Sequence, residues 1–286
     1  MPVGPGASKL LFATDLDGCL LDATTYSFEA ARPALSLLAE KRIPLVLASS
    51  KTRAEMLPLA RALCLATPLI VENGGALLVP EKEFANVPRG ALLQAGFWSL
   101  VLGTPRKKIL ELLDAIAAET DARVRSFSRL GPEEVERITG LTPAAAALAL
   151  EREYDEPFLL EDEGPLEAMT RAARERGLRL TRGGRFWHLT GESDKGHALR
   201  SLLRLYAAEG VEFSTVGLGD AANDLSLLQA VERPVVVPSL LGELDLVLRA
   251  ALPNAERAPA PGPAGWNAAV LAVLGGETLA PVEPGE

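Results

Sequence analysis

The sequence predicts an α/β protein, built on a right-handed parallel sheet and interrupted by an inserted α+β domain. Three observations predict it. Apolar strand segments alternate with helical patterns from residue 9 to 79, and this rhythm breaks into Arg- and Glu-rich helices between about 84 and 190. It then resumes from 195 to 237. Residues 1–83 and 191–286 therefore form a discontinuous core domain, and 84–190 form a second, inserted domain.

Taken in order, Lys9–Thr14 is a short apolar run that stops at Asp15, the pattern of a strand buried on both faces. Helical spacing follows over Phe28–Lys41, and Ile43–Ala48 reads as a second buried strand. Thr52 is placed to cap a helix over Arg53–Leu63. Pro68–Val71 is a third strand, and Glu72-Asn73-Gly74-Gly75 turns it back into Ala76–Val79. Within the insert, Arg106–Glu119 and Pro143–Glu151 read as helices, and Phe158–Leu160 and Phe186–Leu189 as short strands. The core pattern returns as helix Lys195–Glu209, strand Phe213–Leu218, helix Ala222–Ala230 and strand Pro234–Val237. A Pro-rich stretch leads to a last helix over Trp266–Leu274, and the final dozen residues are expected to be disordered.

Composition narrows the function. Of 286 residues, 48% are hydrophobic and 23% charged, as in globular proteins, and no apolar run reaches the roughly 20 residues of a membrane helix. The start, MPVGPGASKL, lacks the basic and apolar regions of an export signal, so a cytoplasmic location is expected. Two cysteines, Cys19 and Cys64, offer neither a disulfide framework nor a metal-ligand spacing, and both are expected to be buried. A net charge of -9 argues against nucleic acid as partner. An anionic substrate would then need a bound divalent cation or a small Arg cluster.

Three apolar strands end in polar residues: Asp15 and Asp17 after the first, Ser49 and Ser50 after the second, and Asp220 after Phe213–Leu218. Ligands of open α/β sheets bind at the carboxyl ends of strands, so these residues should converge. In Asp15-Leu16-Asp17-Gly18, two carboxylates can face one ion or substrate from a turn that Gly18 permits. A calcium loop is excluded because its twelfth position would be Tyr26 where a Glu is needed. A locally capped turn remains the alternative for that segment. Gly217-Leu218-Gly219-Asp220-Ala221-Ala222 matches a dinucleotide fingerprint, yet Asp220 would oppose a pyrophosphate and the next strand ends without an acidic residue. Oxygen ligation of a metal, supported by Asn223 and Asp224, suits it better. Lys195, in Asp194-Lys195-Gly196, can serve as a fixed point charge for a phosphoryl group, or can be a solvated lysine at a helix start.

Together, the ordered set Asp-x-Asp-Gly, Ser, Lys and Gly-Asp-x-x-Asn-Asp resembles the haloacid dehalogenase superfamily of phosphatases. The resemblance implies a Rossmann-like core with a type C2 cap inserted between the second and third motifs. It implies Asp15 as nucleophile and Mg²⁺ ligand, and Asp17 as general acid and base that also binds the metal through its backbone carbonyl. It gives Ser49 and Lys195 to the phosphoryl oxygens, and Asp220 to the metal with Asn223 and Asp224 in support. The chemistry is coherent, because a carboxylate nucleophile divides a hard displacement into two steps and Mg²⁺ relieves its repulsion with phosphate.

Substrate choice is expected in the insert and in the turn at Asn73, whose side chain can read a sugar hydroxyl or merely serve a left-handed turn. The segment Thr181–Leu189 sets Arg182 and Arg185 around Gly183 and Gly184, able to turn guanidinium and amide groups onto one anion. A hairpin with a solvated basic face is the alternative. This Arg-Gly-Gly-Arg-Phe-aromatic-His run, ending in His188, is similar to that of the mannosyl-3-phosphoglycerate phosphatases. So are Ser50-Lys51-Thr52 and Gly262–Trp266, with Ser49-Ser50 departing from a more usual Thr-Ser. The resemblance implies hydrolysis of mannosyl-3-phosphoglycerate to mannosylglycerate, a compatible solute. Ser50, Asn73, Arg182, Gly183, Gly184, Arg185 and His188 are the expected substrate contacts, Arg182 and Arg185 facing the glycerate carboxylate. Rival readings are a phosphatase of glucosyl-3-phosphoglycerate, sucrose phosphate or a hexose phosphate, and a phosphosugar mutase. The intact Asp15, Asp17, Lys195 and Asp220 set disfavours a non-catalytic metabolite-binding protein.

Overall fold

The computed structural model describes residues 9–183 and 186–283. In chain order the first elements are β1 (Lys9–Thr14), α1 (Arg32–Glu40), β2 (Leu45–Ala48), α2 (Arg53–Ala62), β3 (Leu69–Val71) and β4 (Ala76–Pro80). There follow β5 (Leu92–Gln94), β6 (Phe97–Val101), α3 (Arg106–Glu119), β7 (Val124–Ser126), α4 (Pro132–Thr139), α5 (Pro143–Leu150), β8 (Asp155–Leu160) and α6 (Leu166–Glu175). The chain continues through β9 (Arg179–Gly183), β10 (Phe186–Thr190), α7 (Lys195–Ala208), β11 (Phe213–Gly219), α8 (Leu225–Leu228) and β12 (Arg233–Val236). It ends with α9 (Leu246–Ala251), β13 (Glu256–Arg257) and α10 (Gly262–Leu274). Among the described residues no helix is long and apolar enough to cross a membrane.

The described parts of residues 1–48, 81–89 and 195–286 form one compact unit. Its strands run in the order β13-β12-β11-β1-β2, every pair parallel, as the α/β pattern requires. Leu11, Phe12 and Ala13 of β1 are fully buried, which is why β1 reads as a continuous apolar run rather than an alternating one. Register pairs Thr14 with Leu218, so Asp15 and Asp220 leave the sheet at the same edge. From α10, fully buried Trp266 donates its indole N–H to Thr14 Oγ1 at 2.9 Å, and the Thr14 hydroxyl donates to the Asp15 carbonyl at 2.7 Å. The end of β1 is thus pinned from below.

One expectation is refined here and another fails. The helix expected over Ala222–Ala230 is a 3-10 turn, Ala222–Asp224, followed by the short α8. The last dozen residues, expected to be disordered, are placed as far as residue 283. The amide of Val282 donates to Ala255, that of Arg257 donates to Ala280, and Val282 is 2% exposed in a cluster with Leu228, Val236, Leu248 and Leu252. A single valine among Pro, Glu and Gly carries too little periodicity to announce this packing.

The described parts of residues 49–80 and 90–194 form the second unit. It holds an antiparallel ribbon, β3-β4-β6-β5, and an antiparallel sheet, β7-β8-β10-β9. Helices α3 and α6 cover that sheet through Ile109, Leu113, Ile116, Phe158, Met169 and Leu189. A smaller cluster gathers Phe127, Leu130, Val135 and Ala146, with Phe127 and Phe186 edge to face at 4.9 Å. This division differs from the sequence-based boundary at residue 84, because β4 pairs with β6 and carries residues 69–80 with the insert. Residues 81–89 stay with the first unit, where Glu83 accepts from the Tyr206 hydroxyl and the Phe84 ring meets the same ring at a tilt, centroids 4.8 Å apart. Thr52 caps α2 in a capping box with Glu55, as its position predicts. Cys19 is buried, but Cys64 is exposed at a positive φ of 55°, since it closes the turn after α2 instead of joining a core.

Val282→Asp tests the seating of the chain end. Burying an unpaired charge there should cost about 2 kcal/mol or more and lower Tm by several degrees. An unchanged melting curve would mean the segment is not packed.

Candidate active site

The site is assembled by the ends of β1 and β11 and the start of α7. Beyond Thr14, the Asp15 amide extends the β1–β11 pairing by donating to Leu218 at 2.9 Å, and the chain then folds back sharply. Leu21 donates to Leu16 at 2.7 Å and Gly18 donates to Leu21 at 2.9 Å, with Gly18 at a φ of +81°. That turn presents Asp15 and the half-buried Asp17 together. Glycine is needed at 18 for a second reason, because a Cβ there would lie 2.6 Å from Asp220 Oδ2.

Lys195 opens α7 and is fully buried. Its ammonium donates to Asp15 Oδ1 at 2.5 Å and to Asp224 Oδ1 at 2.6 Å. Gly196 lets this helix start sit against α8, since a Cβ would come within 1.9 Å of the Ser226 carbonyl. Asp224 has two roles: its other oxygen accepts from the amides of Asp220 at 3.1 Å and Ala221 at 3.2 Å, closing the turn that carries Asp220. Asn223 lies in the same 3-10 turn, half-buried.

Charge here exceeds what one ammonium can balance. Burial, then Asp224, pushes the Asp15 carboxyl up to about 7 despite the adjacent Lys195. Burial, then Asp15 and Asp224, pushes Asp220 up to about 9. Burial opposes the charge on Lys195, yet Asp15 and Asp224 outweigh it and raise the ammonium above its ordinary range. The Cys19 thiol is pushed well up by burial and by Asp220 and Asp15, so it stays protonated and takes no part. One oxygen each from Asp15, Asp220 and Asp224 lie within 4.8 Å of one another. An all-oxygen donor set of this charge fits a hard divalent cation, whose ligand atoms at about 2.1 Å sit roughly 3–4 Å apart. The group can therefore offer a buried nucleophilic carboxylate, a fixed ammonium and a cation seat.

The remaining expected residues lie in the second unit. Ser49 directly follows β2, is buried, and its Oγ accepts from the Lys51 amide at 3.1 Å. Its carbonyl accepts from the Asn73 amide at 3.0 Å, and the Ser50 carbonyl accepts from Arg152 at 2.7 Å. Asn73 takes the left-handed conformation, φ 55°, and its amide group donates to Asp155 at 3.4 Å. His188, buried on β10, meets the same Asp155 carboxylate at 2.7 Å. Ser49, Ser50, Asn73 and His188 thus share one buried network. Arg182 pairs with Glu163 and lies over the Trp187 ring at 5.1 Å, and Gly183 ends β9. Gly184 and Arg185 lie outside the described residues.

Four residues of this framework escaped the sequence reading. Arg152 and Asp155 sit in Glu151-Arg152-Glu153-Tyr154-Asp155-Glu156, a charged run that resembles a solvated face. Glu72 is buried with its carboxylate accepting from the amides of Glu153 and Tyr154. Burial pushes it up to about 7 against the pull of Arg152. Trp266 belonged to a recognised motif, Gly262–Trp266, without a role.

Gly18→Ala should displace Asp220 and weaken both cation affinity and turnover by about tenfold or more, at a stability cost of about 1 kcal/mol. Cation titration and steady-state kinetics measure this, and wild-type values for both would contradict the close approach of Gly18 and Asp220.

Comparison with known proteins agrees with this geometry. Residues 12–87 match the haloacid dehalogenase-like hydrolases. A glucosyl-3-phosphoglycerate/mannosyl-3-phosphoglycerate phosphatase of Methanococcoides burtonii is 40% identical over 268 residues, 93% of this chain and 98% of that protein. One of the same name from Persephonella marina is 34% identical over 267 residues, 93% of this chain and 97% of that protein. The fold is similar to a haloacid dehalogenase-like hydrolase from Bacteroides thetaiotaomicron, at 18% identity and a TM-score of 0.63 over 94% of this chain and 99% of that one. With a carboxylate, ammonium and acidic turn gathered at the strand ends and relatives matched along nearly its whole length, the chain belongs to the haloacid dehalogenase-like hydrolases and is a phosphatase of that superfamily.

Proposed function

We propose that this phosphatase hydrolyses a glycosyl-3-phosphoglycerate, with Mg²⁺ as cofactor and a phospho-aspartate on Asp15 as intermediate. The observation that carries the mechanism is the Lys195 ammonium bonded at once to Asp15 and Asp224. It fixes one oxygen of Asp15 and leaves the other for in-line attack on phosphorus. Mg²⁺, held by Asp15, Asp220 and the Asp17 carbonyl with Asp224 and Asn223 in support, would neutralise the repulsion between the Asp15 carboxylate and the phosphate dianion.

In the first step the phosphorus–oxygen bond to the leaving alcohol breaks as Asp15 bonds to phosphorus, and Asp17 gives that alcohol its proton. In the second, Asp17 takes a proton from water, which attacks phosphorus and frees Asp15 and inorganic phosphate. Lys195 and Ser49 hold the phosphoryl oxygens through both steps. The insert, residues 84–190, would select the organic part, with His188 and the turn residue Asn73 as reading groups. Arg182, already paired with Glu163, would have to exchange that partner to serve a glycerate carboxylate. The mannosyl expectation widens to both sugars, because both occur in the names of the two relatives.

Phosphate release from mannosyl- and glucosyl-3-phosphoglycerate, against sucrose phosphate and hexose phosphates, tests the substrate class. The glycosyl phosphoglycerates should give the highest kcat/KM, and a hexose phosphate converted to an isomer without free phosphate would overturn the hydrolase reading. Asp15→Asn should lower kcat by at least about a thousandfold while the protein stays folded. Chelation should abolish turnover and added Mg²⁺ restore it. Retained activity in the variant would defeat the phospho-aspartate mechanism.

A further inference from the structure

Asn73 and His188 are held by one carboxylate. Asp155, at the start of β8, is fully buried, and its Oδ2 accepts from Arg152 Nη2 at 2.7 Å, from His188 Nδ1 at 2.7 Å and from Asn73 Nδ2 at 3.4 Å. The same Arg152 nitrogen donates to the Ser50 carbonyl at 2.7 Å. Although burial alone would push the Asp155 carboxyl up, His188 and Arg152 hold it below the usual carboxylate range. An ionised carboxylate only accepts, so Nδ1 of His188 donates to it, and in the Nδ1–H neutral tautomer Nε2 is an acceptor. Asn73 also donates to Asp155 and therefore turns its carbonyl oxygen away. Among the described residues that buried oxygen has no hydrogen-bond partner, and neither have Oδ1 of Asp155 and Nε of Arg152.

Three such atoms in one cluster each cost about 1–3 kcal/mol unless something meets them. Their chemistry specifies what does. Two of the three, Asn73 Oδ1 and Asp155 Oδ1, are acceptors and call for O–H donors, as on a sugar ring or glycerate, while Arg152 Nε is a donor.

We propose that Arg152 and Asp155 are positioning residues, which lock His188 as its Nδ1–H tautomer so that His188 and Asn73 accept hydrogen bonds from the hydroxyl groups of the glycosyl phosphoglycerate. The Arg152 bond to Ser50 ties this reader to the hydroxyl loop that follows β2. For the identity of the ligand the inference rests on the proposed function; for the tautomer it rests on the contact of His188 Nδ1 with the buried, ionised Asp155.

The test is a double-mutant cycle with Asp155→Asn and His188→Gln, read on mannosyl-3-phosphoglycerate and on p-nitrophenyl phosphate, which has no hydroxyl groups to read. Each single variant should raise KM for the glycosyl substrate about tenfold or more. Its kcat/KM loss there should exceed the loss on the aryl phosphate at least tenfold, and the double variant should be no worse than His188→Gln. The chain has two histidines, so ¹⁵N NMR with His197→Gln for assignment reads the His188 tautomer directly. It should be Nδ1–H in the intact protein and lose that preference in Asp155→Asn. Additive losses, equal losses on both substrates, or an Nε2–H tautomer in the intact protein would overturn the proposal. Should Asp155→Asn fail to fold, Arg152→Gln removes the cation whose Nη2 bonds Ser50 and Asp155, and should show the same split. If the intact enzyme hydrolyses no glycosyl phosphoglycerate, the function reading fails, and the tautomer measurement still decides the positioning.

Discussion

A fully buried ammonium shared between Asp15 and Asp224 is the contact on which the first unit is organised. Breaking such a pair costs about 3–5 kcal/mol, because the surviving charge is left without water. The lysine therefore needs both carboxylates, and each carboxylate must arrive on a rigid element. Asp15 comes on β1 and Asp224 on the turn after β11, two strands paired in parallel so that both end at one edge. The start of α7 must then approach closely, which Gly196 alone permits. Site geometry and fold geometry are here one constraint.

The surplus negative charge is the counterpart of that arrangement. Asp15 and Asp220 are both pushed upward by burial and by their neighbours, as crowded carboxylates are. Backbone economy makes this crowding possible: Gly18 lets Asp220 in, and Gly219 accommodates Asp224, whose Cβ would otherwise meet its own at 2.6 Å. Trp266 and Thr14 hold the strand end beneath.

In the second unit the insert also shapes the loops that precede it. Arg152 bonds the Ser50 carbonyl, Leu148 accepts from the Thr52 hydroxyl, and Glu72 anchors the amides of Glu153 and Tyr154. The loops that follow β2 and β3 are therefore shaped by residues roughly a hundred positions later in the chain. Shared hydrogen bonds thus join the insert to the hydroxyl loop.

Much of this is legible in the sequence, for a physical reason. Strands buried on both faces must be apolar throughout, and a polar residue that ends such a run must serve the sheet edge, so Asp15, Ser49 and Asp220 stand out locally. The helix starts at Arg53 and Lys195 and the capping Thr52 are equally local, set by spacing and by orphan amides. Asp155, Arg152 and Glu72 are different, because a charge destined for burial looks like a charge destined for solvent until its partner is in place. The packing of Val282 and the pairing of β4 with β6 likewise depend on chain brought from elsewhere. Asp15 was thus marked by its own neighbourhood, whereas the network that holds Asn73 and His188 exists only once distant carboxylates and donors meet away from water.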